Sequence, residues 1–103
     1  MNINQYQYDA MKTRLRTANG DYALLGLAGE VGELLSIVAK AIRDDDGKVD
    51  NTSMKKELGD CLWFLAAIAT DFGFTLEEAA EVNLTKLQKR QKNNTLTGSG
   101  DNR

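Results

Sequence analysis

Apolar positions recur along this chain at intervals of three and four residues, in stretches separated by short polar segments that contain glycine or asparagine. This is the period of an α-helix with a buried face. The pattern predicts four helices, over about residues 4–15, 21–43, 53–72 and 75–92. Asn19-Gly20 predicts the first turn, Gly73 the end of the third helix, and Thr75 to Glu78 a capping box that opens the fourth.

The segment 93–103 has too few apolar side chains to pack, so a disordered C-terminal tail is predicted there. The chain has 103 residues, which is the length of one domain, and residues 1–92 are predicted to form it. No proline is present that would interrupt a helix. The sequence therefore predicts a single all-α domain.

The second predicted helix has almost no wet face. Between Tyr22 and Ala39 its only polar side chains are Glu30, Glu33 and Ser36. The two glutamates share a strip with Gly26, Gly29, Ile37 and Lys40, and the opposite side is a broad apolar arc of Leu24, Leu27, Ala28, Val31, Leu34, Leu35, Val38 and Ile42. Because a solvated helix carries a polar face, both sides of this helix are expected to be covered.

A second acidic pair lies in the third predicted helix. Glu57 is in register with Cys61, Phe64 and Ile68, which form the stripe expected to face the core, and Asp60 lies beside that stripe. Residues three apart on a helix point in nearly the same direction. Each pair, Glu30 with Glu33 and Glu57 with Asp60, can therefore act as a two-carboxylate pincer.

The ordinary alternative is that these acids form surface ion pairs with basic residues four positions away. That pattern is nearly absent, because Leu34, Ile37 and Cys61 follow at those positions and only Asp60 has such a neighbour, Lys56. Two like charges about 4 Å apart repel by roughly 4 kcal/mol at an effective dielectric near 20, against a domain stability of about 5–15 kcal/mol. Either some of the acids are protonated or a divalent cation lies among them.

The available donors indicate which cation. The chain has no histidine, so four carboxylates and the amide of Asn83, which lies on the apolar seam of the fourth helix, favour Mg²⁺, with Mn²⁺ as a possible substitute. A di-iron bundle is disfavoured because it requires Glu-x-x-His. Magnesium commonly shares its coordination shell with phosphates, and Lys40, Lys86 and Arg90 could hold the remaining phosphate charge. As an alternative, these basic residues are ordinary charges near helix C-termini.

Charge and cysteine content exclude other classes. A formal net charge of -2 and a pI near 5.1, without a basic stripe, argue against binding to polymeric DNA or RNA. Cys61 is the only cysteine, so a reducing cytoplasm is expected. The first 16 residues do not have the pattern of a signal peptide, and no stretch is expected to be a membrane span.

Three segments together resemble the MazG-type nucleotide pyrophosphohydrolases. They are Leu27-Ala28-Gly29-Glu30-Val31-Gly32-Glu33-Leu34, Glu57-Leu58-Gly59-Asp60-Cys61-Leu62-Trp63-Phe64-Leu65 and Asn83-Leu84-Thr85-Lys86-Leu87-Gln88-Lys89-Arg90. A lone Glu-x-x-Glu is common on helices, whereas two acidic pairs with internal glycines, followed by Asn-x-x-Lys-x-x-x-Arg, form a specific combination. The resemblance covers about residues 22–90.

This resemblance implies a four-helix MazG-like bundle that cleaves a nucleoside triphosphate, ribo or deoxy, into a nucleoside monophosphate and pyrophosphate with Mg²⁺, as nucleotide-pool house-cleaning. By position, the acids Glu30, Glu33, Glu57 and Asp60 correspond to the metal ligands of the family. Glu30 or Glu33 is expected to activate the attacking water. Phosphate binding is assigned to Asn83 and Lys86, and less firmly to Lys40 and Arg90.

Base recognition, assembly and two alternative functions are left open. Trp63 could stack on a nucleobase, as could Tyr6, Tyr8 or Tyr22, although core packing is the commoner role of such residues. Apolar faces in excess of what one short chain can cover predict a homodimer or homotetramer, with a base contact from helix one of a neighbour. The alternatives are a phosphoribosyl-ATP pyrophosphohydrolase and a non-catalytic, metal-binding helical interaction module.

Overall fold

The computed structural model describes all 103 residues and contains four α-helices and no strand. They are α1 (Ile3–Lys12), α2 (Tyr22–Asp44), α3 (Asn51–Phe72) and α4 (Leu76–Lys92). The all-α prediction is confirmed. The helix α1 ends earlier than predicted, and α3 begins earlier because the side chain of Asp50 accepts a hydrogen bond from the backbone N–H of Ser53 and caps the helix before Asn51.

The sharpest sequence signals lie at the α3–α4 junction, and the structure confirms them. Gly73 ends α3 in the left-handed conformation, with φ of 81°, which a glycine adopts without a steric penalty. Thr75 then caps α4 by accepting from the backbone N–H of Glu78, whose side chain accepts in turn from the N–H of Thr75. The two helices meet at 96°.

An antiparallel hairpin of α2 and α3 forms the centre of the molecule. Its core consists of Ala23, Phe64 and Ala67, which are buried against one another. At Gly26 the ring of Phe64 occupies the space that a Cβ would need, so the absence of a side chain there lets α2 approach α3 closely. Phe64 cannot turn aside easily, because it packs between Tyr22 and the edge-on ring of Trp63.

Polar contacts attach α1 to the other side of α3. The indole N–H of Trp63 donates to the Ala10 carbonyl at 3.2 Å and to the Thr13 hydroxyl at 2.9 Å. Gln7 is buried, donates to the Phe74 carbonyl at 3.1 Å, and accepts from the backbone N–H of Leu76 at 2.7 Å. These bonds hold α1 across both α3 and the start of α4.

A single chain does not close into a four-helix bundle. The helix α2 lies against α3 alone, and the radius of gyration is 16.7 Å, whereas a compact domain of this length has about 13 Å. Only 11 of the 103 residues are buried, and none of the large side chains is fully buried. The chain is therefore an open arrangement of four helices with little core of its own.

The side of α2 that packs on α3 is the strip of small residues and Glu30, and most of the broad apolar arc is left exposed. Ala23 and Ala41 are buried on α2, and Gly26 and Glu30 are half-buried. Of the arc, Leu27 and Leu34 are half-buried, whereas its other large side chains are between 36% and 67% exposed: Leu24, Val31, Leu35, Val38 and Ile42. Within one chain, the prediction that both sides of α2 are covered is therefore met only in part.

By length and composition, α2 could cross a membrane, contrary to the sequence-based expectation that no stretch qualifies. An 18-residue window of this helix has a mean hydropathy of 1.5 and is 6% buried. Core helices of soluble proteins satisfy the same criterion, so this is weak evidence. Moreover, a charged residue at the bilayer centre costs about 2.5–3.5 kcal/mol on insertion scales, and Glu30 and Glu33 lie in the middle of α2.

The segment 93–103 contains turns and bends but no helix or strand. It folds back along α4, where Arg103 donates to the carbonyls of Thr95, Leu96 and Gly100. Its predicted disorder stays a prediction, as does the domain boundary at residue 92.

Replacing Gly26 with alanine should destabilise the protein by about 1–3 kcal/mol, because the new methyl group overpacks the contact with the buried Phe64 ring. Gly32→Ala is the matched control, since nothing lies within 4 Å of its Cβ position, and alanine there should stabilise α2 by up to about 1 kcal/mol. Urea unfolding of both variants measures the difference. Equal stabilisation by both would contradict the close α2–α3 contact.

Candidate metal centre

Three acidic side chains converge between α2 and α3. The carboxylates of Glu30, Glu57 and Asp60 each offer an oxygen within 4.8 Å of the others. Glu30 comes from the middle of α2 and the other two from the first half of α3, so the hairpin brings them together from 27 to 30 positions apart in sequence. Glu30 and Glu57 are half-buried, and Asp60 is exposed. Oxygens at this spacing can share one divalent cation.

These carboxylates have no counter-charge. None of Glu30, Glu33, Glu57 and Asp60 takes part in an ion pair, and none accepts a hydrogen bond from another side chain or from the backbone. The one helical pair that the sequence allows, Lys56 with Asp60, does not form. Surface ion pairing therefore does not explain the acids.

The mutual repulsion of these acids changes the proton affinity of Glu30. Partial burial, followed by repulsion from Asp60, Glu57 and Glu33, raises the pKa of Glu30 above its ordinary value of 4.5. Cys61 is affected in the same way, since burial and then the charge of Glu30 raise the pKa of its thiol. A site that raises the pKa of a carboxyl in this way attracts positive charge, and it would therefore favour a divalent cation as well as a proton.

Glu33 lies outside the three-oxygen group. It is exposed, one helical turn after Glu30, and is close enough for its charge to contribute to the raised pKa of Glu30. The structure thus unites three of the four acids predicted as ligands and leaves Glu33 beside them.

A cleft of about 310 Å³ opens next to the acids. Its lining combines the acids Glu30 and Asp60 with Thr13 and with five apolar and aromatic residues: Leu15, Ala18, Tyr22, Trp63 and Phe64. Trp63 is half-buried here, with its indole N–H tied to the end of α1. This tryptophan therefore packs against α1 and also lines the cleft, and its stacking on a base stays a prediction.

Sequence reasoning missed the contribution of the α1–α2 connection to this cleft. Thr13, Leu15 and Ala18 carry no motif and lie in a turn region, so no signal in the sequence marks them. The acids also affect Tyr6 of α1. Burial, and then the nearby charge of Asp60, raise the pKa of its phenol. Of the three tyrosines considered for base contact, Tyr22 lines the cleft.

The basic residues predicted to bind phosphate do not line this cleft. Lys40 is exposed near Asp44, ten residues after Glu30 or about 15 Å along the helix. Asn83 is exposed on α4, and Lys86 and Arg90 line a separate cavity between α4 and the tail. Within one chain, α4 therefore does not bring its polar residues to the three acids.

Comparison with known proteins identifies the family. The sequence profile of the MazG nucleotide pyrophosphohydrolase domain matches residues 20–95, which contain the three converging acids. This chain belongs to the MazG family. It is also 35% identical over 114 aligned positions to the Gene 37 protein of Mycobacterium phage L5, and the match covers all of both proteins. No solved structure gives a significant match. The family membership confirms the resemblance found in the sequence and implies nucleotide pyrophosphohydrolase activity in general.

The raised pKa of Glu30 gives the metal-free MazG protein a pH signature. A carboxyl whose pKa is higher in the folded state stabilises the fold below its unfolded pKa, here about 4.5, and loses that contribution as the pH rises through the folded value. In EDTA, the unfolding free energy of the wild type relative to Glu30→Gln should therefore fall as the pH rises above 4.5.

The matched control is Glu81→Gln, which removes the same charge from an exposed residue of α4 that forms no ion pair. Its difference from the wild type should change little over the same pH range. Thermal unfolding at a series of pH values measures both differences. A Glu30→Gln difference that is flat or rises with pH would rule out the repelling cluster.

Proposed function

We propose that this MazG-family protein hydrolyses nucleoside triphosphates, ribo or deoxy, to nucleoside monophosphates and pyrophosphate in the presence of Mg²⁺, and that it thereby removes unwanted nucleotides from the cellular pool. The observation that carries the proposal is the group of three uncompensated carboxylates within 4.8 Å in the segment matched by the family. Mn²⁺ is a possible substitute, since both are hard cations that prefer oxygen ligands.

The donor set fits such an ion. Glu30, Glu57 and Asp60 would hold it, and the chain contains no histidine that would favour zinc. When bound, a divalent cation neutralises phosphate oxygens and lowers the pKa of a coordinated water. Glu33, which is exposed one turn from Glu30 and outside the three-oxygen group, would accept the proton of the attacking water, with Glu30 as the other candidate.

The cleft beside the acids is the proposed place of the nucleoside. Its apolar wall, with Trp63 and Tyr22, can cover a base, while Glu30 and Asp60 lie at the end where the phosphates would be. Phosphate contacts from Asn83, Lys86 and Arg90 would then have to come from a second copy of the chain, since α4 does not reach the acids of its own chain. The same holds for Lys40, which lies about 15 Å along α2 from Glu30.

A homodimer or homotetramer is therefore part of the proposal. The exposed apolar arc of α2, the large radius of gyration and the small core all support burial of this helix against another copy. The two glutamates in the middle of α2 favour a protein partner over a lipid phase.

Activity is tested by pyrophosphate release from a panel of ribo- and deoxynucleoside triphosphates and phosphoribosyl-ATP, with Mg²⁺ or with EDTA. Release should require the metal, and Glu57→Gln should lower it by at least about 100-fold, because one ligand of the cation is lost. Mg²⁺ should also raise the melting temperature of the wild type and not that of the variant.

Asp45→Asn serves as the control, because it removes an equal charge from an exposed residue just after α2 that forms no ion pair and lines neither cavity, and it should retain activity. Preference for phosphoribosyl-ATP would instead identify the protein as a phosphoribosyl-ATP pyrophosphohydrolase. Metal binding without release from any substrate would instead indicate a non-catalytic interaction module and defeat the enzyme proposal.

The assembly is tested by Leu35→Asp, which puts a charge in the middle of the apolar arc, at a side chain that is 61% exposed in one chain. The subunit dissociation constant should rise at least tenfold, as measured by sedimentation at several concentrations, because an unpaired charge would be buried in the interface. Leu96→Asp, in the tail outside the matched domain, is the control and should leave assembly unchanged. Identical sedimentation of wild type and Leu35→Asp would exclude this interface.

A further inference from the structure

A second cavity lies away from the three acids, between α4 and the C-terminal tail. Its volume is about 710 Å³, and it has only one apolar residue in its lining. Four basic side chains line it, Lys86, Lys89, Arg90 and Arg103, together with the acidic Glu78, Glu81 and Asp101. Such a polar cavity is unsuited to an apolar ligand, and its basic residues could bind an anion.

One carboxylate of the tail lies against two of these basic side chains. Asp101 Oδ1 lies 3.1 Å from Lys86 Nζ and 3.4 Å from Arg90 Nη2. Arg90 Nη2 also donates to the backbone carbonyls of Asp101 at 2.9 Å and Gly100 at 3.3 Å. The two cations consistently lower the pKa of the Asp101 carboxyl, mainly through its hydrogen bond with Lys86.

The tail satisfies Arg90 incompletely. Arg90 is only 5% exposed, all its hydrogen bonds are donated by Nη2, and its Nε is buried without an acceptor. A guanidinium presents five N–H donors in a planar fork that matches phosphate oxygens in pairs. A buried donor without an acceptor carries a desolvation cost, so a ligand with more oxygens than one carboxylate would complete this site.

We propose that Asp101 of the tail is a displaceable competitor that occupies the oxyanion site which Lys86 and Arg90 would offer to a pyrophosphate or nucleotide phosphate group. The nature of the anion rests on the proposed function, because the family substrate carries phosphates. The tail thereby raises the substrate concentration needed to fill the site and acts as a built-in brake.

The structure favours displacement over a permanent lock. The side chain of Asp101 is 83% exposed, and exposed ion pairs contribute little to stability because water and salt screen them. Competition by a tethered group depends on its effective concentration, which a short tail keeps high. An anion with several charges can nevertheless displace a single carboxylate, since it can engage Lys86, Arg90 and the unpartnered Arg90 Nε together.

The test is binding of inorganic pyrophosphate to the full chain in EDTA, measured by calorimetry, so that the metal centre takes no part. Asp101→Asn should bind about three- to tenfold more tightly than the wild type. Asp44→Asn is the matched control, because it removes an aspartate from another exposed ion pair, with Arg43, and should bind like the wild type. Lys86→Met and Arg90→Met should each weaken binding at least tenfold.

A side-chain readout separates ligation from a general charge effect. The arginine Nε–Hε resonance of Arg90 should shift when pyrophosphate is added, and saturate at a lower concentration in Asp101→Asn. If Arg90→Met does not fold, Lys86→Met decides alone, since Lys86 is only half-buried. Equal affinities of Asp101→Asn and Asp44→Asn, or unweakened binding by Lys86→Met, would overturn the proposal.

Failure of this inference is distinguishable from failure of the proposed function. The EDTA binding experiment does not depend on catalysis, so an inactive protein could still show the competition. In an active protein, Asp101→Asn should lower KM for the nucleotide severalfold with little change in kcat, because the tail competes with substrate for the free site. An unchanged KM, with turnover intact, would contradict the brake and leave the activity established.

Discussion

The close contact of α2 with α3 is the constraint on which the candidate metal centre depends. Gly26 lacks a side chain where the ring of Phe64 lies, so the two helices approach along the strip that also carries Glu30. That approach sets Glu30 against Glu57 and Asp60, and no basic side chain forms an ion pair with them. The same face of α2 therefore packs its small residues against the ring of Phe64 and brings Glu30 to the other acids. The favourable burial of Ala23, Phe64 and Ala67 offsets the repulsion between the acids.

The repulsion among Glu30, Glu57 and Asp60 indicates a functional site when these acids are compared with the others on the surface. Some other acids of the chain have basic partners, such as Asp71 with Arg14, whose guanidinium lowers the pKa of that carboxyl. Others, such as Glu81, are unpaired, but the acids at the hairpin are both without an ion pair and gathered into one group. Because an uncompensated cluster lowers stability, it persists most readily where a ligand supplies the missing positive charge. The site and the family membership therefore support the same chemistry from independent directions.

The open shape of the chain connects the proposed assembly with the proposed brake. The 96° angle between α3 and α4 keeps Lys86 and Arg90 away from the acids of their own chain. These cations meet the tail instead, and the apolar arc of α2 meets solvent. If a second copy covers the arc, its α4 could supply the phosphate contacts that one chain lacks. Displacement of Asp101 would then accompany the arrival of a phosphate group at the same cations.

The sequence alone determined the local features and the chemical character of this protein. Helix ends such as Gly73 and the Thr75–Glu78 capping box depend on backbone geometry within a few residues, so they could be predicted. Glu57 was recognised as unusual because helical periodicity places it in an apolar stripe, and the combined motifs identified the family. Only the tertiary structure decided that Glu33 lies outside the oxygen group, that the acidic strip of α2 faces α3, and that the tail reaches Lys86. Each of these depends on contacts between segments that are distant in the sequence. Periodicity along one helix shows which side chains share a face, but it does not show which other segment that face contacts.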